Sequence, residues 1–119
     1  MVSNARIFLA GAPIVGREQK ALQFFSEVTK FYMQKKEKGE IESVESFVFD
    51  DFNAELSGIT IIRGKPDELE KFSGTDEAVS FGHRGELLFK NFRMVRGFTG
   101  ENMQWRLANL AKQVAELLK

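Results

Sequence analysis

One histidine, a few acids around an expected hairpin tip and an unusual stock of phenylalanine are the residues from which this chain could build chemistry. His83 stands in Gly82-His83-Arg84-Gly85. A histidine titrates near neutral pH, so it suits a general base in a cofactor-free oxidation or isomerisation. Arg84 beside it could hold an anionic group. The plainer reading is a solvated loop histidine between glycines, with Arg84 a surface charge. Asp50, Asp51 and Glu55 could hold a divalent cation, but adjacent strand residues point to opposite faces, so a solvated turn is expected and no metal site. The chain has 12 Phe against one Tyr and one Trp. Phe brings aromatic surface without a polar handle, so whatever space it lines is dry. Phe24, Phe25, Phe31, Phe47, Phe49, Phe89 and Phe92 are the expected walls of an elongated cavity for a small apolar or fatty-acyl-like ligand, with Arg84 near its head group. Core plus an interface is the plainer use of the same rings.

Composition removes other chemistries. There is no Cys, which excludes disulfides, thiolate metal sites, iron–sulfur clusters and Cys nucleophiles, and one His excludes a multi-histidine site. Gly11-Ala12-Pro13-Ile14-Val15-Gly16 lacks the glycine spacing of a dinucleotide loop and the lysine of a phosphate loop. No nucleophile-elbow serine is present. No cofactor is expected. Lys+Arg and Asp+Glu balance at 17 each, so net charge offers nothing to a nucleic acid or an anionic membrane. The apolar run Ile7-Phe8-Leu9 is too short for the about 7–15 residues of a signal h-region. A soluble cytoplasmic protein is the expectation.

These residues must be placed by elements. Residues 5–10 read as a strand closed by Gly11 and Pro13. From Arg17 to Lys38, Ala21, Phe24, Phe25, Val28, Phe31 and Tyr32 recur at helical spacing, and Lys35, Lys36 and Lys38 suit the negative end before Gly39. Strands are expected at 41–52 and 58–64, joined by a turn at Asn53-Ala54-Glu55. Pro66 with Asp67 and Glu68 starts a short helix carrying Leu69 and Phe72. Gly74 interrupts it, and Thr75-Asp76-Glu77 opens another turn or two with Ala78, Val79 and Phe81. Gly82 to Gly85 is expected to end that piece, with a long strand over 86–98. Thr99 then caps a helix over 100–118 with the stripe Met103, Leu107, Leu110, Ala111, Val114, Leu117 and Leu118. The result is one α+β domain over 1–119: a ferredoxin-like βαββαβ antiparallel sheet with helices on one face, plus an appended C-terminal helix. An RNA-binding module shares that order, but its third strand needs aromatics, and Gly58-Ile59-Thr60-Ile61-Ile62-Arg63-Gly64 has none.

A sheet with helices on one side and water on the other alternates cleanly. Here Ile41, Phe47 and Phe49 oppose Val44, Val48 and Phe52, and Leu87, Phe89 and Val95 oppose Leu88, Phe92, Met94 and Phe98. Ile59 and Ile61 likewise oppose Thr60 and Ile62. The strands at 41–52 and 86–98 would be the sheet edges, far longer than the usual ~5–6 residues, and long apolar edges invite pairing. A homodimer through the sheet face answers both problems. Burying six large apolar side chains contributes roughly 9–18 kcal/mol per subunit, against roughly 4–15 kcal/mol for association. Charge is segregated too: residues 40–77 hold eleven acids and three bases. Lys90, Arg93 and Arg96 could therefore meet a partner's acidic second strand.

The chain resembles the dimeric α+β barrel superfamily, which includes antibiotic-biosynthesis monooxygenase and muconolactone-isomerase types. The stretches that carry the likeness are Gly16-Arg17-Glu18 before Ala21-Leu22, Gly39-Glu40-Ile41-Glu42-Ser43 with Glu45, Leu56-Ser57-Gly58, Arg63-Gly64 and Thr99-Gly100-Glu101. They are similar to uncharacterised bacterial members and span most of residues 5–101. The resemblance implies a homodimer, often with an apolar pocket between sheet and helices. Haem-degrading members carry an Asn, Trp and His constellation. Here Trp105 falls in the appended helix, outside the shared core. The expected function is thus a homodimer binding a small apolar ligand. A cofactor-independent monooxygenase or isomerase using His83 is the alternative, and a structural or interaction dimer without ligand a further one.

Overall fold

A computed structural model describes residues 2–51 and 55–118. The element order is β1 (Ala5–Ala10), α1 (Glu18–Glu37), β2 (Ser43–Val48), β3 (Gly58–Arg63), α2 (Pro66–Ser73), α3 (Asp76–Leu88), β4 (Arg93–Gly97) and α4 (Gly100–Leu117). The four strands form one sheet in the order β2-β3-β1-β4, every neighbouring pair antiparallel. β2 and β4 are therefore the edges, as the sequence order predicts. The helix-spaced stripe of α1 is buried at Ala21, Phe24, Val28 and Tyr32. It packs with Phe8, Ala10 and Ile62 of the sheet and Phe81 of α3 into one core. A run of hydroxyls ties α1 to the sheet: Thr29 Oγ1 lies 3.1 Å from Ser46 Oγ, which lies 3.0 Å from Thr60 Oγ1.

Five expectations are corrected. Residues 82–85 do not break the chain, because α3 runs from Asp76 to Leu88 and includes both glycines. Ala78, Phe81 and Gly85 are its buried side, with Leu88 partly buried against the core, a helical spacing that Gly85 completes. A Cβ on Gly85 would lie 2.3 Å from the Phe92 ring, so the missing side chain is the seat for that ring. The long last strand is accordingly cut to five residues, Arg93–Gly97. The second strand is also short, Ser43–Val48. Ile41 precedes it and lies in the core with Val44 packed against the same cluster, so strand alternation does not apply to that pair. Phe89 and Phe92 likewise share one side, their rings 6.3 Å apart, because the backbone turns between them with Asn91 at φ 53°. Phe52, and Asn53 and Ala54 of the expected turn, lie outside the described residues.

Beyond β1 the chain stays paired without being a regular strand. Gly11 N–H donates to Lys90 O at 2.8 Å, and Lys90 N–H to Ala12 O at 2.9 Å. A Cβ on Gly11 would sit 2.4 Å from that Lys90 oxygen, so only glycine permits this approach. α4 leaves the body. None of its residues is buried. The Cα radius of gyration is 16.2 Å over extents of 54 × 35 × 24 Å, against about 13.5 Å for a compact chain of this length.

Candidate functional site

Strand register sorts the sheet into two faces. Arg6, Phe8 and Ala10 of β1 stand opposite Ile62, Thr60 and Gly58 of β3, and this side meets the helices. On the other side Leu9 pairs with Ile59, which pairs with Phe47; Ile7 pairs with Ile61 and with Val95. These six side chains form two adjacent rows of three. Phe47 is 44% exposed and Val95 37%, while the four central residues are half-buried by their strand neighbours. The rim of this face carries Glu45, whose Oε1 accepts from Arg63 Nη1 at 2.9 Å, and the exposed Arg93. No helix of the chain covers it among the described residues. The sequence expectation of two apolar faces holds for the central strands. The gain from covering the outer face is smaller than six full burials, since four of the six are already half-shielded.

The seven phenylalanines do not enclose one chamber. Phe24, Phe25, Phe89 and Phe92 converge with Phe8 and Gly58 around a gap of about 20 Å³. Ligand clefts measure about 300–1,000 Å³, so this nest is about the size of a single water molecule. Phe24 meets Phe92 edge-on at 6.2 Å and Phe81 at 6.0 Å, the packing of a filled aromatic core. Phe31 lies half-buried at the edge of the core, where it meets Phe81 edge-on at 5.1 Å. Phe47 lies on the outer sheet face, and Phe49 is exposed beyond the end of β2.

The groove between α1 and α3, about 630 Å³, is lined by Phe31, Phe81, Glu27, Lys30, Asp76, Glu77 and Arg84 among others. Arg84 is already committed. Its Nη1 and Nη2 donate to Glu27 Oε1 and Oε2 at 2.9 and 2.7 Å, and its guanidinium lies 5.1 Å from the Phe24 ring centre. That hydrogen bond holds the Glu27 carboxyl below the usual range and raises the Arg84 guanidinium. With three acids against two bases named in the groove, its charge does not favour a carboxylate head group. His83 is exposed on α3 rather than held in a loop. A general base must face its substrate, so the enzyme alternative finds no geometric support there.

A charged cluster near α2 carries no signal in the residue spacing beyond one oddity, an arginine inside the apolar run of β1. Arg6 is 4% exposed. Its Nη2 donates to Glu70 Oε1 at 3.0 Å, and Arg96 Nη1 reaches the same oxygen at 2.7 Å. Burial, then Arg96, pulls the Arg6 guanidinium below its ordinary value, and Glu70 opposes them. Arg96, expected to face a partner's acids, is thus engaged within its own chain. Trp105 stands on α4, 41% exposed and apart from the core, so the haem-degrading constellation is not assembled around it.

No protein-family model matches the chain, and no curated protein does. Solved structures do. A dimeric protein of unknown function and ferredoxin-like fold from Bacteroides fragilis aligns with a TM-score of 0.59 at 11% identity, covering 80% of this chain and 94% of its own. A protein from Arabidopsis thaliana aligns with a TM-score of 0.56 at 9% identity, covering 82% and 95%. At such identities the likeness concerns the fold, which is ferredoxin-like, α+β, with an additional C-terminal helix.

Proposed function

We propose that the chain acts as a self-associating interaction protein, two copies pairing the outer faces of their sheets. The observation that carries this reading is the double row Phe47-Ile59-Leu9 and Ile61-Ile7-Val95, apolar and without a helix over it among the described residues. A contiguous apolar patch of this kind on a small domain marks a contact surface. The structural neighbour from Bacteroides fragilis is described as dimeric, which supports the same assembly here, as does the resemblance to the dimeric α+β barrel superfamily. Light scattering after gel filtration is expected to give twice the 13.5 kDa chain mass. Phe47→Asp, which places a charge at an already exposed edge position, is expected to return a folded monomer. A wild-type monomer at micromolar concentration would overturn the proposal.

Binding of a small apolar or fatty-acyl-like molecule is the second reading. Its support is the convergence of Phe24, Phe25, Phe89 and Phe92, four of the seven candidates, around the same gap. A ligand would have to displace those rings. Native mass spectrometry of the freshly purified dimer tests it: an adduct of lipid-like mass favours the ligand, and a bare dimer favours the solid core.

A further inference from the structure

We infer that α4 is a second self-association element, an arm whose apolar seam lies against the α4 of another copy. Apart from Trp105, on the far side of the helix, and Leu118 at its end, its large apolar side chains fall at 103, 107, 110, 114 and 117, steps of four, three, four and three. That is a repeat of 3.5, the spacing of the seam that one helix presents to another, with Ala111 and Leu118 widening it on one side. The seam is bare. Met103 is 40% exposed, Leu107 52%, Leu110 57%, Val114 48% and Leu117 84%. At its first turns the helix is tied to its own body: Asn102 Nδ2 donates to Val2 O at 2.8 Å, and Arg106 lies 5.1 Å from the Phe98 ring centre. An isolated helix of 18 residues is marginal in water without a partner for its apolar side.

The second copy is the occupant because the seam enlarges the contact proposed for the sheet face. A stable interface engages about 20–30 residues a side and buries about 800 Å² per partner. The outer sheet face offers six apolar side chains, four of them already half-buried. The α4 seam adds five more that are largely exposed, on an element joined to β4, an edge of that same sheet. Charge permits the pairing. The positions flanking the seam are Gln104, Ala111 and Leu118 on one side and Arg106 and Gln113 on the other, so a mate meets no stack of like charges.

Because the chain has no cysteine, a single introduced thiol reports contact without background. Leu110 is the middle residue of the seam, so it faces its own counterpart in a parallel pair in register and lies within one seam position of it in a centred antiparallel pair. Under mild oxidation Leu110→Cys is expected to run mostly at twice the chain mass on a non-reducing gel, and Lys112→Cys, on the opposite side of the helix, to stay largely single. Absence of the linked species, or equal linking of both variants, overturns the inference. Folding of α4 back onto its own sheet would give the first of those results. The readout is separate from that of the sheet proposal. Dimers that resist linking at Leu110 sink the arm and spare the sheet contact. Linking at Leu110, with a Phe47→Asp mass unchanged from wild type, does the reverse.

Discussion

At the scale of single residues, the chain's one tyrosine gives the cleanest handle on the core. Tyr32 is 4% exposed, between Phe8, Phe31 and Phe81. Burial disfavours the phenolate and pushes the hydroxyl from its ordinary value near 10 up to about 12. The folded state therefore binds this proton more tightly than the unfolded state. The associated stability is complete below about pH 10 and is lost as pH climbs from there through about 12. Near-ultraviolet absorbance of tyrosinate should rise close to pH 12, together with loss of the aromatic dichroism. A rise centred near pH 10 while the protein stays folded would mean that the ring is wet. Tyr32→Phe removes the absorbance signal and serves as the control. The burial of Tyr32 was readable from helical spacing. The burial of Arg6 was not, since a charge within an apolar strand becomes tolerable only once Glu70 of α2 arrives beside it.

At the scale of elements, α3 is the instructive case. Local preference argues against a helix that contains Gly82 and Gly85, each costing about 1 kcal/mol relative to Ala. Packing outweighs that preference, because the Phe92 ring occupies the space where a Gly85 side chain would be. The two glycines should therefore respond in opposite directions. Gly82 has nothing within 4 Å of an added Cβ, so Gly82→Ala is expected to stabilise by about 0.5–1 kcal/mol. Gly85→Ala drives a methyl into the ring and is expected to cost about 1–3 kcal/mol. Urea titrations of the two variants decide it. Equal effects would contradict the seat for Phe92. The start of α3 was legible locally. Thr75 Oγ1 accepts from Ala78 N–H at 3.3 Å and donates to Phe72 O at 2.8 Å, joining α2 to α3. Thr75→Ala should lower stability by about 0.5–2 kcal/mol in the same titrations.

At the scale of the whole molecule, the pairing proposed above would tie stability to concentration. A chain that folds as a dimer gains from mass action, and a hundredfold rise in concentration is worth about 2.7 kcal/mol per dimer. The melting temperature should then rise by about 5–10 °C over that range. Phe47→Asp should flatten the dependence. A wild-type melting temperature independent of concentration would speak for a self-sufficient monomer. Of the bases expected to meet a partner's acids, Arg96 instead pairs with Glu70 of its own chain.

Periodicity and punctuation in the residues were enough to determine the element order, the burial of α1 and the hairpin of β2 with β3, and the likeness of that order to a ferredoxin-like sheet implied the edges. These features depend on neighbours a few residues apart, and short-range spacing records them. Which phenylalanines meet, where α3 stops and whether Arg6 or Arg84 finds a carboxylate were decided by tertiary structure. Each depends on side chains separated by tens of positions. Phe24, Phe25, Phe89 and Phe92 fill a shared space because α1 and the turn before β4 are laid over the same strands, a juxtaposition that no local spacing encodes.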